Sequence, residues 1–298
     1  MNNPFSISWS VTERDVPIFL REFLKNKQIS KAALTDIKFH GGALFVNDEE
    51  VTVRRMLNAG DEVTVHFPKE SISDSMEGED IPLNIEFEDD HFIVINKPPS
   101  MPTIPSLYQP KGSLAAGVMF YYHKKGIPST FHAVNRLDKD TSGIVLVAKH
   151  RFAHSLMSRQ QKEKTIKREY IAFVHGNVKN KKDTVNTPIG RNPDSIIERM
   201  IRKDGQPSVT HYEKVAYVSA YDFSVVRLTL ETGRTHQIRV HMASIDHPLL
   251  GDDLYGGKRQ WINRQALHSV KTRFQHPFSE ELVEVAVDLP LDMKKLWK

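Results

Sequence analysis

The stretch AVNRLDKDTSGIVLVAK, residues 133–149, decides how this chain is to be read. Its first part, NRLDKDTSG, is polar, and it runs directly into the apolar IVLVA. The β-branched run predicts a buried strand over 144–148. The polar part is then a loop anchored to a rigid element, where reactive groups are often placed. Arg136, Asp138, Lys139, Asp140, Thr141 and Ser142 fall within seven positions. Turn chemistry alone accounts for Asp, Ser and Gly here. It does not call for Arg and Lys beside them, so the loop is the first candidate for a site.

Outward from this loop, residues 92–95, 170–174 and 223–230 are rich in β-branched and aromatic residues and predict further strands. Helical signals are sparser, clearest over 151–162 and weaker over 238–244. The pattern is α+β: a mixed, mainly antiparallel central sheet without regular βαβ alternation. Toward the N-terminus lies a small unit, 12–68. Ile18, Phe19, Leu20, Phe23 and Leu24 suit one face of a short helix after Pro17. Ser30 suits the N-cap of a second helix, with Ala33, Leu34 and Ile37 inward. Gly41-Gly42 stops that helix, 43–46 reads as a strand, Asn47-Asp48 as a turn, and 63–67 as another strand. The acidic stretch KESISDSMEGEDI, 69–81, reads as a linker on which the small unit moves, leaving 82–298 as the main domain.

Composition bounds the function classes. The 298 residues, 39% of them apolar and 26% charged, suit a folded chain of one large and one small domain. No run of 18 apolar residues predicts a spanning helix, and MNNPFSISWS lacks the basic start and apolar core of a secretion signal. The absence of cysteine excludes disulfides, thiolate metal sites and cysteine nucleophiles, and it fits a cytoplasmic location. Net charge is +4, and the basic excess lies in 82–298, with 32 Lys+Arg against 23 Asp+Glu. A polyanionic partner suits that part of the chain.

The order R-L-D-x-x-T-S-G at 136–143, followed by an apolar strand and Ala-Lys, resembles the signature of RluA-type RNA pseudouridine synthases. Other blocks agree in sequence order. Arg168-Glu169-Tyr170-Ile171-Ala172 through Gly176 is similar to the family's tyrosine motif, and LETGRTHQIRVH, 230–241, to its third motif. Pro248 to Asp252 with Tyr255-Gly256, then 265–268 and His276-Pro277, extend the resemblance over about 82–292. The N-terminal unit resembles, over shorter motifs (Ile29-Ser30-Lys31, Gly42 to Asn47, Gly60-Asp61), the alpha-L RNA-binding module named after ribosomal protein S-four.

The resemblance implies an RNA isomerase without cofactor or metal, which detaches uracil from ribose, turns it and rejoins it through carbon. It gives Asp138 the central role, as nucleophile or base, and Arg239 that of the cation that keeps this carboxylate ionised and aimed. Tyr170 would stack on the target uracil, Arg136 would fill the gap left by the flipped nucleotide, and Ile238 would line the pocket. Thr141 shapes the loop, and Arg234 is a further substrate contact. Asn135 stands where the family usually has His, and is expected to position the loop, since it cannot titrate near neutrality. The expected partner is RNA, ribosomal ahead of transfer RNA, with no membrane partner and a monomeric chain. Two other readings bear on the same residues. D-x-D-T at 138–141 with Gly251-Asp252-Asp253 resembles fragments of a magnesium-dependent haloacid-dehalogenase-type phosphatase pattern. A binding protein that keeps the fold without the chemistry is the other. His236, His241 and His247 do not have the spacing of a zinc helix, and satisfied or RNA-contacting histidines are expected there.

Overall fold

A computed structural model describes residues 5–70 and 77–297; within the acidic stretch, 71–76 lie outside the described residues. The main sheet has ten strands. Its path runs Lys182–Asn186, Val209–Val218, Phe223–Leu230, Lys167–His175, Leu267–Gln275, Ser142–Ala148, Phe92–Lys97 and Ile85–Glu88, with His132–Ala133 and Leu282–Ala286 attached. Every pairing is antiparallel except one. Ser142 and Gly143 pair in parallel with His268 and Ser269, at the site-bearing end of the sheet. The α+β class and the mainly antiparallel sheet expected from the sequence are both present.

The central strands are buried on both faces, and the two-residue period divides them between two cores. Ile93, Ile95, Val145 and Val147 face helices Leu114–Lys125 and Gln237–Ala243. Phe92, Val94, Ile144 and Leu146 face Ala153 and Met157 of helix Arg151–Lys162. Each such side chain contributes about 1.5–3 kcal/mol on burial, so the strand carrying the polar loop is firmly held from both faces.

Helix Arg151–Lys162 has the bounds its sequence predicts, and helix Gln237–Ala243 starts one residue before the weaker signal over 238–244. Helix Leu114–Lys125 was not foreseen. Leu114 to Met119 are buried in succession, so it shows no apolar stripe against a polar face. Its ends carry ordinary signals: the Ser113 side chain accepts from the Ala116 N–H, and Gly126 closes it in the left-handed region at φ 69°.

The N-terminal unit forms its own four-stranded antiparallel sheet, ordered Ser6–Ser10, Glu62–His66, Ala43–Val46, Glu49–Glu50. Ser6–Ser10 lies before position 12 and joins this sheet at its edge. Asn47 and Asp48 both have positive φ, as a tight two-residue hairpin requires. Ser30 caps helix Lys31–Phe39 through the Ala33 N–H. Ile18 and Phe19 depart from expectation. They pair as a short strand with Met56–Leu57, leaving Phe19 43% exposed, and the helix begins at Leu20. The unit is seated on helix Arg151–Lys162. Phe152 and Leu156 belong to its core, Phe67 stacks on Phe152, and Phe5 stacks on His150. Glu70 accepts from the Arg151 N–H and contacts His132. Among the described residues, no helix is long and apolar enough to cross a membrane.

Candidate active site

The polar loop is fastened at nearly every residue. The Val134 N–H donates to the Leu146 carbonyl. The Asn135 side chain continues the ladder, donating to the Ile144 carbonyl at 3.2 Å and accepting from the Leu146 N–H at 2.9 Å. Thr103 Oγ1 donates to the Leu137 carbonyl and accepts from the Leu137 N–H. Beneath the loop, the fully buried Lys97 donates to the carbonyls of Pro98, Met101 and Lys139, which take all three ammonium hydrogens. Burial draws its pKa down to about 7, against the pull of the Asp140 and Asp138 charges. Arg264 holds the Asp140 carbonyl, Gln265 donates to Thr141 Oγ1, and Ser142 Oγ meets His268 Nδ1 at 2.8 Å. Gly143 has φ +111°, and a Cβ there would lie 2.3 Å from the Ser269 carbonyl oxygen. Only glycine permits the parallel strand to approach so closely.

The Asn135 side chain thus ties the loop to the backbone of the strand that follows it. Asn135→Ala is expected to cost about 2 kcal/mol, because two buried backbone groups lose their partners; chemical denaturation reads this. Asn135→His should retain turnover, since a neutral imidazole also offers one donor and one acceptor. A marked gain in turnover with His would show that a titrating group is needed there.

With its backbone so tied, the loop presents Arg136 and Asp138 to a cleft of about 920 Å³, also lined by Thr141, Tyr170, Arg234, Ile238 and Arg239. Asn135 lines it too, so all eight residues singled out in the sequence meet in one place. Arg136, Arg234, Lys162 and Lys164 are exposed at its edge, and the half-buried Arg168 is also on the lining. Tyr170 is 5% exposed and belongs to the core, yet it also lines the cleft, at a β-bulge that re-aims its strand.

Arg239 is not a surface ion pair. It is buried in the first turn of helix Gln237–Ala243, and its Nη1 donates to Asp138 Oδ2 at 3.1 Å. Two of its other donors are taken by Asp252: Nε to Oδ2 at 2.7 Å and Nη2 to Oδ1 at 2.8 Å. The Tyr255 ring lies 4.9 Å from the guanidinium. Burial opposes the charge on Arg239, but the hydrogen bonds and charge of Asp252, with Asp138 behind them, raise its pKa. Asp252 is thus a functional residue that the sequence reading quoted within a motif but gave no role. The signal available was the Gly-Asp followed by Tyr-Gly, 251–256. Tyr255 was missed in the same way, and His236 was expected only as a satisfied or RNA-contacting histidine. His236 Nε2 lies 3.9 Å from Asp138 Oδ2.

The phosphatase reading fails on this geometry. Both oxygens of Asp252 are engaged by Arg239, which separates Asp252 from Asp138, so the two carboxylates do not form a magnesium pair. His241 is a satisfied buried histidine between Thr210 and the Thr187 carbonyl, and His247 bonds the His175 carbonyl. Among the described residues no cluster of side chains suits a metal ion.

A carboxylate clamped by a buried guanidinium, in a cleft rimmed with basic side chains, defines an enzyme site for a polyanionic substrate. The RNA pseudouridylate synthase family matches residues 91–244, which include the loop, Tyr170 and Arg239. A Bacillus subtilis protein named as the uncharacterized RNA pseudouridine synthase YjbO is 52% identical, over 94% of this chain and 98% of its own. Ribosomal large subunit pseudouridine synthase D of Vibrio parahaemolyticus is 37% identical, over 85% of this chain and 81% of its own. Among solved structures, human RNA pseudouridylate synthase domain containing 1 superposes with a TM-score of 0.62 at 27% identity, over 74% of this chain and 89% of that one. The chain belongs to the RNA pseudouridylate synthase family, in its RluA-type branch.

Proposed function

We propose that this pseudouridine synthase acts on ribosomal RNA, with Asp138 as the catalytic carboxylate, Arg239 as its orienting cation and Tyr170 as the platform for the target base. The observation that carries the reading is the 3.1 Å contact from Arg239 to Asp138, made by a guanidinium that Asp252 fixes through two further hydrogen bonds. Such a cation keeps Asp138 aimed without relying on the substrate. In the reaction the N1–C1′ bond breaks, the uracil turns, and a C5–C1′ bond forms. The proton on C5 leaves to solvent and N1 gains one. Atoms and electrons balance without an oxidant or reductant, so no cofactor is proposed. Asp138 serves this sequence either at the sugar or at the base.

The target base must leave its stack to reach a carboxylate at the bottom of a cleft. Arg136, exposed beside Asp138 on the same loop, suits the place the base vacates. Thr141 and Asn135 fix the loop, Ile238 forms an apolar wall, and Arg234 is suited to phosphate. The unit over 12–68, with the strand before it, is proposed as an RNA-binding module seated on the catalytic part, 82–298. Its likeness to ribosomal modules, and the ribosomal substrate named for the Vibrio relative, favour ribosomal over transfer RNA. The chain is proposed to act as a monomer in the cytoplasm.

Tritium release from RNA labelled at C5 of uridine tests this assignment, using ribosomal and transfer RNA from cells lacking the gene. Release from ribosomal RNA at a stoichiometric site is the expected result. Release from transfer RNA alone would overturn the proposed substrate.

A further inference from the structure

His236 has a place in the site that the roles above do not use. It precedes helix Gln237–Ala243 with φ 57° and ψ 18°, a left-handed conformation uncommon outside Gly, in which Asn, Asp and His are the side chains found most often. The imidazole is thereby turned toward Asp138 and Tyr255. Its Nδ1 lies 2.8 Å from the Tyr255 hydroxyl, and that same hydroxyl accepts from the Arg199 N–H at 2.9 Å. A phenol has one proton. With the Arg199 N–H donating to its oxygen, that proton is free to go to His236 Nδ1, and in this arrangement Nδ1 is the acceptor nitrogen. The ring hydrogen is left on Nε2. Burial lowers the pKa of His236, ahead of the opposing pull from Asp138, so the ring stays neutral and the tautomer persists.

Nε2 makes no hydrogen bond to the described residues. Asp138 Oδ2, at 3.9 Å, is too far for one. Nor is Nε2 among the enclosed polar atoms that lack a partner, so it is open to the cleft that His236 lines. A fixed, neutral N–H donor thus stands unengaged beside the reacting carboxylate.

We infer that His236 is a further catalytic residue, whose Nε2–H donates a hydrogen bond to a carbonyl oxygen of the target uracil, with Tyr255 as the positioning residue that sets its tautomer. The inference rests on the uridine-isomerising reading and adds a residue to it. When the N1–C1′ bond breaks, its electron pair passes to the base and spreads onto the two carbonyl oxygens. A donor already in place stabilises that charge, and no proton needs to transfer.

The test is single-turnover tritium release and RNA binding with the full chain, comparing His236→Ala, His236→Gln and Tyr255→Phe, and with Asp138→Ala as the control for the reaction itself. His236→Ala should lower the rate about 100-fold, with RNA affinity within about threefold, since phosphate contacts carry most of the binding. His236→Gln, which restores an N–H near the position of Nε2, should recover much of that loss. Tyr255→Phe leaves the backbone at 236 untouched, and so keeps the test open if His236→Ala melts early. It frees the tautomer and should slow the reaction about threefold to tenfold, with affinity unchanged. A His236→Ala rate within twofold of wild type, a Gln variant as slow as Ala, or a loss seen only in RNA affinity would overturn the inference. If wild type itself releases no tritium, or Asp138→Ala matches it, the failure lies with the underlying reading instead.

Discussion

Asp138→Asn is expected to abolish pseudouridine formation, slowing single-turnover release by about 10⁴-fold or more, while the protein remains folded and bound to RNA. The structure makes this separation clean. Asn keeps the size of the side chain and an acceptor for Arg239 Nη1, and Asp252 still neutralises the guanidinium through two hydrogen bonds. No buried charge is left uncompensated, so the stability cost should stay near 1 kcal/mol, that of weakening one charge-assisted hydrogen bond. RNA affinity should be unchanged or slightly higher, because a negative charge leaves a cleft that receives phosphates. Thermal melting, filter binding and tritium release on one preparation read all three quantities. A variant that retained a tenth of the wild-type rate would remove Asp138 from the chemistry.

Asp252→Ala is expected to act in the opposite way, through the fold first. Asp252 has no exposed side-chain area and takes two of Arg239's donors. Its removal leaves a buried guanidinium with only the partly exposed Asp138 to balance it. Losing one partner of such a pair costs about 3–5 kcal/mol, a fall in melting temperature on the order of 10 °C for a domain of this size. Turnover should fall as well, because Arg239 is no longer held toward Asp138. Asp252→Asn, which keeps an acceptor but not the charge, should be intermediate in both measures. A melting temperature for Asp252→Ala within about 2 °C of wild type would show that Arg239 is held by other means.

These two predictions differ in how far the sequence could have supplied them. Asp138 stands out locally, with a cation beside it, turn residues after it and an apolar strand to anchor the loop. The same kind of local signal marks helix Arg151–Lys162, whose apolar residues repeat at helical spacing, and helix Lys31–Phe39, whose cap is Ser30. Asp252 carries no such mark. Its partner is thirteen positions away, and their meeting depends on where helix Gln237–Ala243 lies against the sheet. Strand Leu267–Gln275 was also not read, because LHSVKTRFQ mixes polar and apolar residues without regular alternation. It is the strand that pairs in parallel with Ser142 and Gly143, and so fixes the end of the loop. Tyr170 shows a further limit. A strand pattern predicts burial, but a bulge between Glu169 and Tyr170 determines that the same ring also borders the cleft. The left-handed turn at His236 has no glycine to announce it, so the donor it positions was visible only in three dimensions.

The central claim is that the Asp138 carboxylate, held by Arg239, isomerises uridine in RNA. Nucleoside analysis of ribosomal RNA, taken from cells lacking the gene and incubated with the protein, tests it most directly, because pseudouridine and uridine have the same mass but separate on chromatography. Wild type should generate pseudouridine at a discrete site, and Asp138→Asn, bound equally well to the same RNA, should generate none. Equal pseudouridine from both proteins, or none from wild type on any RNA that it binds, would contradict it.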